Sequence, residues 1–140
     1  VNVDECLAKG LLKKTAPDRE KAAASLDAAR RKIGIAEAEL KAGIYENALT
    51  TAYAAFFHTA RALLYKDGFK ERSHFAISVY VAEKYGDLLE KRFVNELDNL
   101  RETRHLLTYG LTGVPQVGEK DAHEAIAAAK DFLSAVKRLA

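Results

Sequence analysis

The sequence predicts an all-α chain, an antiparallel bundle of five to six helices. Three observations carry that expectation. Apolar residues recur at three- and four-residue steps through each long stretch, as in Leu26, Ala29, Ile33, Ala36 and Leu40. Breaking residues gather at a few places, namely 15–18, Gly43, Gly68, 86–87 and 110–118. Strand-like composition is confined to 75–81, where Ser73 offers a helix cap and decides for helix.

Taken in order, residues 4–15 read as a short amphipathic helix, with Asp4 and Glu5 in its first turn and Lys13 and Lys14 in its last, matching the helix dipole. Pro17 breaks it and opens a second, alanine-rich helix that runs to about Ala42, with Gly43 as the stop. Gly34 weakens the middle of that helix by about 1 kcal/mol relative to alanine and is expected to mark close helix packing. The third helix, about 45–67, is the most apolar. Tyr53, Phe56, Phe57, Ala60, Leu63 and Leu64 form its buried face. A fourth helix follows Ser73 to about Tyr85. A fifth spans about 88–108, opened by a capping box of Asp87 and Glu90, with Phe93, Leu97, Leu100 and Leu107 as its apolar row. Gly113, Pro115 and Gly118 make 110–118 a loop, and the last helix, about 119–138, buries Ala122, Ile126, Ala129, Leu133 and Val136.

One hundred and forty residues without an internal repeat or linker fit a single domain, 1–140. A net charge of +2 is too small to announce a nucleic-acid binder, so any basic surface has to be local. Cys6 is the sole cysteine, which leaves no disulfide framework; no Cys/His spacing suits zinc, and no cofactor is expected. A reducing, cytoplasmic setting fits this usage. No apolar run approaches the roughly 18–20 residues needed to cross a bilayer, and no signal peptide is visible. The chain starts at Val1 and lacks methionine, which points to a natural start trimmed or altered.

The polar cluster that closes the fifth helix stands out. Arg101, Arg104, His105 and Thr108 fall at i, i+3, i+4 and i+7 and share one face. Such a face suits an anion: His105 can work as acid or base while Arg101 and Arg104 hold a phosphate. It suits equally a solvated surface paired with Asp98 or Glu102. His58, Arg61 and Tyr65 form a polar stripe on the third helix that can line the same cleft or make satisfied bonds at a helix interface. His74 reads as a residue that stabilises its turn, and His123 as exposed. The aromatic row of the third helix reads as core rather than a base-stacking platform. Lys9, Lys13, Lys14 and the triplet at 30–32 read as solvated faces.

One block is more specific. Gly43, Ile44, Tyr45, Glu46, Asn47 and Ala48, followed by Ala52-Tyr53-Ala54-Ala55-Phe56-Phe57-His58-Thr59-Ala60-Arg61-Ala62-Leu63-Leu64, resembles HEPN-domain proteins, nearest the small prokaryotic single-domain type. Lys70 to His74, and Leu100 to Arg104 leading to Tyr109 and Gly110, agree with it, so the likeness runs from about residue 20 to 138. The resemblance implies an antiparallel helical bundle that forms a homodimer. It also implies a minimal nucleotidyltransferase as partner in a toxin–antitoxin module, and RNA or a nucleotide as ligand. Many such proteins are metal-independent ribonucleases with four to six residues between an arginine and a histidine. Here Arg101 and His105 are separated by three residues, one fewer than that pattern, and Arg104 is followed at the family spacing by Tyr109. In related systems a tyrosine beside the motif is nucleotidylated by the partner. Tyr109 matches that position, with Leu107 where those proteins carry histidine.

Two functions of different classes follow. In the first, the chain is a nucleotidyltransferase-linked HEPN component that binds RNA or nucleotide through Arg101, Arg104, His105, Tyr109, His58 and Arg61, with Arg104 and His105 as the catalytic pair of a metal-independent endoribonuclease. In the second, it is a non-catalytic helical module that dimerises and docks a nucleotidyltransferase. A stand-alone nucleotide-binding domain is a weaker third reading, since the sequence has no phosphate loop.

Overall fold

The most apolar of the expected helices, α3 (Tyr45–Asp67), is the element around which the others gather. Eleven of its residues are buried, among them Tyr53, Phe56, Ala60, Leu63 and Leu64, and they occupy more than one side of the helix, so neighbours are needed all round it. The computed structural model describes residues 1–139 and supplies those neighbours in the order α1 (Val3–Ala8), β1 (Leu12–Lys14), α2 (Arg19–Lys41), α3, β2 (Phe69–Glu71), α4 (His74–Tyr85), α5 (Lys91–Tyr109) and α6 (Glu119–Leu139). α2, α4, α5, α6 and β2 all pack on α3, α2 most extensively. The expected all-α bundle is borne out, with six helices among the described residues.

Aromatic packing fixes the core. Phe132 of α6 stacks on Phe56 of α3 at 5.2 Å between centroids and lies 5.2 Å from Phe93 of α5, joining three helices through one fully buried ring. Ala29, Ile33 and Ala36 carry the stripe of α2 inward, while Leu26 and Leu40 sit half-buried at its margins. All five residues expected to be buried along α6 are buried.

The helix ends follow from local chemistry. Asp18 and Ser73 accept the amides of Lys21 and Ala76 at 2.9 and 3.1 Å, capping α2 and α4. Gly68 closes α3 in the left-handed region at φ +87°, where a Cβ would also meet the Thr15 carbonyl oxygen at 2.8 Å. Just before it, Asp67 Oδ2 accepts the hydroxyls of Tyr80 and Tyr85 at 2.7 and 2.6 Å, which fastens α4 to the end of α3. Burial, reinforced by the Asp67 carboxylate, pushes both phenols well above their ordinary range, so both stay protonated donors.

Four expectations are corrected. The first helix ends at Ala8 instead of continuing to 15. Gly10 turns left-handed at φ +74°, Leu12 swings into the core at 2% exposure, and 12–14 pair antiparallel with 69–71. The bonds Thr15 N–H to Gly68 O and Arg72 N–H to Leu11 O, both 2.8 Å, extend the pairing. Backbone groups just past α3 thus compete successfully with a short, marginal helix, and a two-stranded sheet exists where no strand was expected. The capping box of Asp87 and Glu90 does not form. Leu89 is drawn into the core by a tight turn, its N–H bonding Tyr85 O at 2.9 Å, so α5 starts at Lys91 and the Glu90 carboxylate engages Arg92 at 2.9 Å. Gly34 marks no close approach, since a Cβ there would meet nothing within 4 Å. Phe57, expected in the core, is only partly buried because it edges the site described below.

Two glycines should therefore respond with opposite sign. Gly68→Ala places a side chain in a left-handed conformation against a carbonyl and is expected to lower unfolding free energy by about 1–3 kcal/mol. Gly34→Ala, mid-helix and unobstructed, is expected to raise it by about 0.5–1 kcal/mol. Urea unfolding of both variants checks the pair; equal effects would contradict the geometry.

Candidate functional site

Tyr53, Phe57 and Arg61 lie along α3 at one-turn steps, so they share a stripe. α4 begins beside them, and the cap at Ser73 sets His74 in its first turn, against that stripe. The His74 ring stacks on Phe57 at 4.4 Å and on Tyr53 at 5.8 Å, and its Nδ1 lies 2.6 Å from the Tyr53 hydroxyl. α5 crosses the same place. The guanidinium of Arg104 lies 5.2 Å above the Tyr53 ring and that of Arg101 lies 5.7 Å from Phe75. Arg61 sits over Phe57 and Tyr65 at 5.4 and 5.2 Å and is held by Glu71 Oε1 at 2.8 Å.

The charge here is lopsided. Arg61 has its carboxylate, and Arg101 has looser ones at 3.6 Å (Asp98) and 3.8 Å (Glu102). Arg104 has no acidic partner among the described residues. The Nε–H groups of Arg61, Arg101 and Arg104 are buried without a hydrogen-bond acceptor, as Glu71 Oε2 and Asp98 Oδ1 are buried without a donor, although buried polar groups are almost always paired. Burial first, then Arg104, Arg101 and Arg61, holds the His74 imidazole below its usual range. Burial pushes the Tyr53 phenol up to about 12 against the pull of Arg104 and Arg101. Two neutral polar groups with good donors are thus enclosed by three cations.

The expected site residues divide. Arg101, Arg104 and Arg61 converge on this cluster. His105 leaves the same turn of α5 in another direction: it is exposed, its ring 5.0 Å from Tyr109, and with Arg101, Glu102 and Leu106 it lines a shallow surface groove. Tyr109 is 67% exposed. Arg104 and His105 are therefore not brought together within one chain. His58 stands on the far edge of Phe57, half-buried, its carbonyl accepting Ser25 Oγ at 2.7 Å. Burial, then Arg61, Lys32 and Arg31, holds its imidazole down. His123 is exposed, as expected. Among the described residues no group of three His, Cys, Asp or Glu side chains could hold a metal, and no helix is long and apolar enough to cross a membrane.

His74 and Tyr53 are what the sequence reading missed. In the sequence the first reads as a turn residue and the second as plain core. A signal was available: a tyrosine inside a row of alanines and phenylalanines needs a partner for its hydroxyl, and His74 is the first ring after the next turn.

The model of the HEPN domain matches residues 22–139, which takes in every part of this cluster. The chain belongs to the HEPN family. HEPN domains have nucleotide- and RNA-related roles, and the surplus of positive charge around His74 fits such ligands. No curated protein matches the chain significantly. On α5, Arg101 and Arg104 face inward to α4 and α3 while His105 faces out.

The depressed histidines make stability pH-dependent with a definite sign. Each folded imidazole protonates at a lower pH than the unfolded one, about 6.5, so the unfolded chain binds more protons as the medium acidifies. The contribution is complete above pH 6.5 and is lost as pH falls through the folded values. Urea unfolding between pH 7.5 and 5 is expected to show stability falling with acidity, and His74→Gln to flatten that slope. A slope unchanged in the variant would remove His74 from the account.

Proposed function

We propose that the cluster of Arg61, His74, Arg101 and Arg104 binds the phosphates of RNA or of a nucleotide. The observation that carries this reading is Arg104, a guanidinium without an acidic partner among the described residues, beside a ring already crowded by cations. A guanidinium left so is an incomplete half of a charge-assisted pair, and a phosphate oxygen is its natural complement. On this reading the protein is a one-domain HEPN component that works as a homodimer with a minimal nucleotidyltransferase in a toxin–antitoxin module. The exposed apolar run of Leu106, Tyr109 and Leu111 supports the dimer, since large side chains so exposed are commonly covered by a partner. In a chain whose partner has not covered this run, the Tyr109 hydroxyl is open to nucleotidylation.

The non-catalytic reading is favoured by one specific observation: Arg104 and His105 diverge. Ribonuclease chemistry would require His105 of one copy to meet a phosphate held by the other.

Titration of a fluorescent single-stranded RNA of about ten nucleotides tests binding. Arg104→Ala is expected to weaken it roughly tenfold or more, and His105→Ala to leave it nearly unchanged. Wild-type RNA cleavage in EDTA that disappears in His105→Ala would establish the ribonuclease; equal background in both would leave a binding module. Light scattering tests the dimer, with Leu111→Asp expected to shift it to monomer.

A further inference from the structure

A 2.6 Å contact between a phenol and an imidazole has two forms, and they make His74 a different chemical group. In one, Tyr53 O–H donates to Nδ1, and the neutral ring carries its proton on Nε2. In the other, Nδ1–H donates to the phenol oxygen, and Nε2 is a lone pair able to accept a proton. The surroundings choose between them. Tyr53 is 2% exposed, and its hydroxyl has no hydrogen-bond partner other than Nδ1 among the described residues. The second form would leave the phenolic O–H buried without an acceptor, a cost that the first form avoids. A phenolate in place of the phenol is excluded by its burial, which keeps the proton on Tyr53.

The groups facing the ring agree. From α3 come Tyr53, Phe57 and Arg61, the last backed by Glu71 of β2; from α5 come Arg101, with Asp98 and Glu102 beside it, and Arg104. Arg61 and Arg101 lie against the acids nearest the ring, and Nδ1 itself meets only the Tyr53 hydroxyl among the described residues.

We infer that Tyr53 fixes the tautomer of His74, so that the imidazole meets a phosphate at this cluster as an Nε2–H donor and not as its proton acceptor. The inference rests on the phosphate-binding reading above and sharpens it. Tyr53 is a positioning residue. His74 is a binding residue whose donor joins the guanidinium groups of Arg101 and Arg104, N–H donors from two helices suited to a phosphodiester. Any base for chain cleavage then has to come from outside this pair.

Long-range ¹⁵N–¹H correlation spectra of the full chain report the tautomer directly, with or without ligand. The expected result is an unprotonated Nδ1 and a protonated Nε2 on His74, and a mixture of both neutral tautomers in Tyr53→Phe. Binding of the same ten-nucleotide RNA supplies the second readout. His74→Gln, whose amide N–H takes the place of Nε2–H, is expected to stay within about threefold of wild type, while His74→Ala loses roughly tenfold. Tyr53→Phe falls between them. An Nδ1–H tautomer in the wild type, or a ring unchanged by Tyr53→Phe, overturns the inference even if RNA binds. So does a His74→Gln protein as weak as His74→Ala. The expected tautomer in a wild-type protein without affinity for RNA overturns instead the phosphate-binding reading, and with it the role given to Nε2.

Discussion

A helix buried on several sides has to find a partner for every polar group it takes inside, and α3 takes several. The Tyr53 hydroxyl meets His74, Thr51 Oγ1 donates to Glu39 at 2.6 Å, Asp67 collects two tyrosine hydroxyls, and Arg61 rests on Glu71. Each partner comes from a different element or turn, so satisfying the helix also docks its neighbours: α2 through Glu39, α4 through His74 and the two tyrosines, β2 through Glu71. Apolar packing around Phe56, Phe93 and Phe132 draws the helices together without choosing one arrangement among many. The polar partners distinguish one arrangement from the rest, because an unmatched group in this interior would cost more than a methylene out of place.

The site has the opposite character. Between α3, α4 and α5 cations outnumber anions, and the Nε–H groups of Arg61, Arg101 and Arg104 lack acceptors. Aromatic faces make this tolerable. Phe57, Tyr53, Phe75 and Tyr65 each carry a guanidinium within 6 Å, and a ring stabilises a cation without neutralising it. An ordinary ion pair would have stabilised the arginines more and left nothing for an incoming anion. The arrangement holds positive charge in place and keeps it unspent, as a binding site requires.

The long helices were legible in the sequence because their apolar spacing and their stops agree. Gly43, Gly68 and Ser73 sit where the chain needs left-handed turns or a cap, so α2, α3 and α4 begin and end close to expectation. The first helix and the start of α5 were misread for a shared reason. Leu12 and Leu89 suit a helix locally, and only tertiary contacts with β2 and with the core pull them elsewhere. The site was legible in part. Arg101, Arg104 and Arg61 stood out as cations at helical spacing, whereas the Tyr53–His74 pair spans 21 residues and a turn, a separation no periodicity encodes. His105 drew attention because it is a histidine beside arginines, but one residue on a helix is about 100° of rotation, enough to send it outward while Arg104 turns in.

The pairing of β1 with β2 closes the N-terminal segment onto the chain immediately before His74. Three residues per strand and two flanking bonds make a small clasp, yet it runs from the α1 segment to the turn that aims the imidazole. Loosening residues far from the cluster in sequence would therefore blur the direction of the ring before any helix melts. The direction of the imidazole is thus tied to a two-stranded unit of three residues a strand, and amide exchange at Thr15 and Arg72 would serve as its gauge.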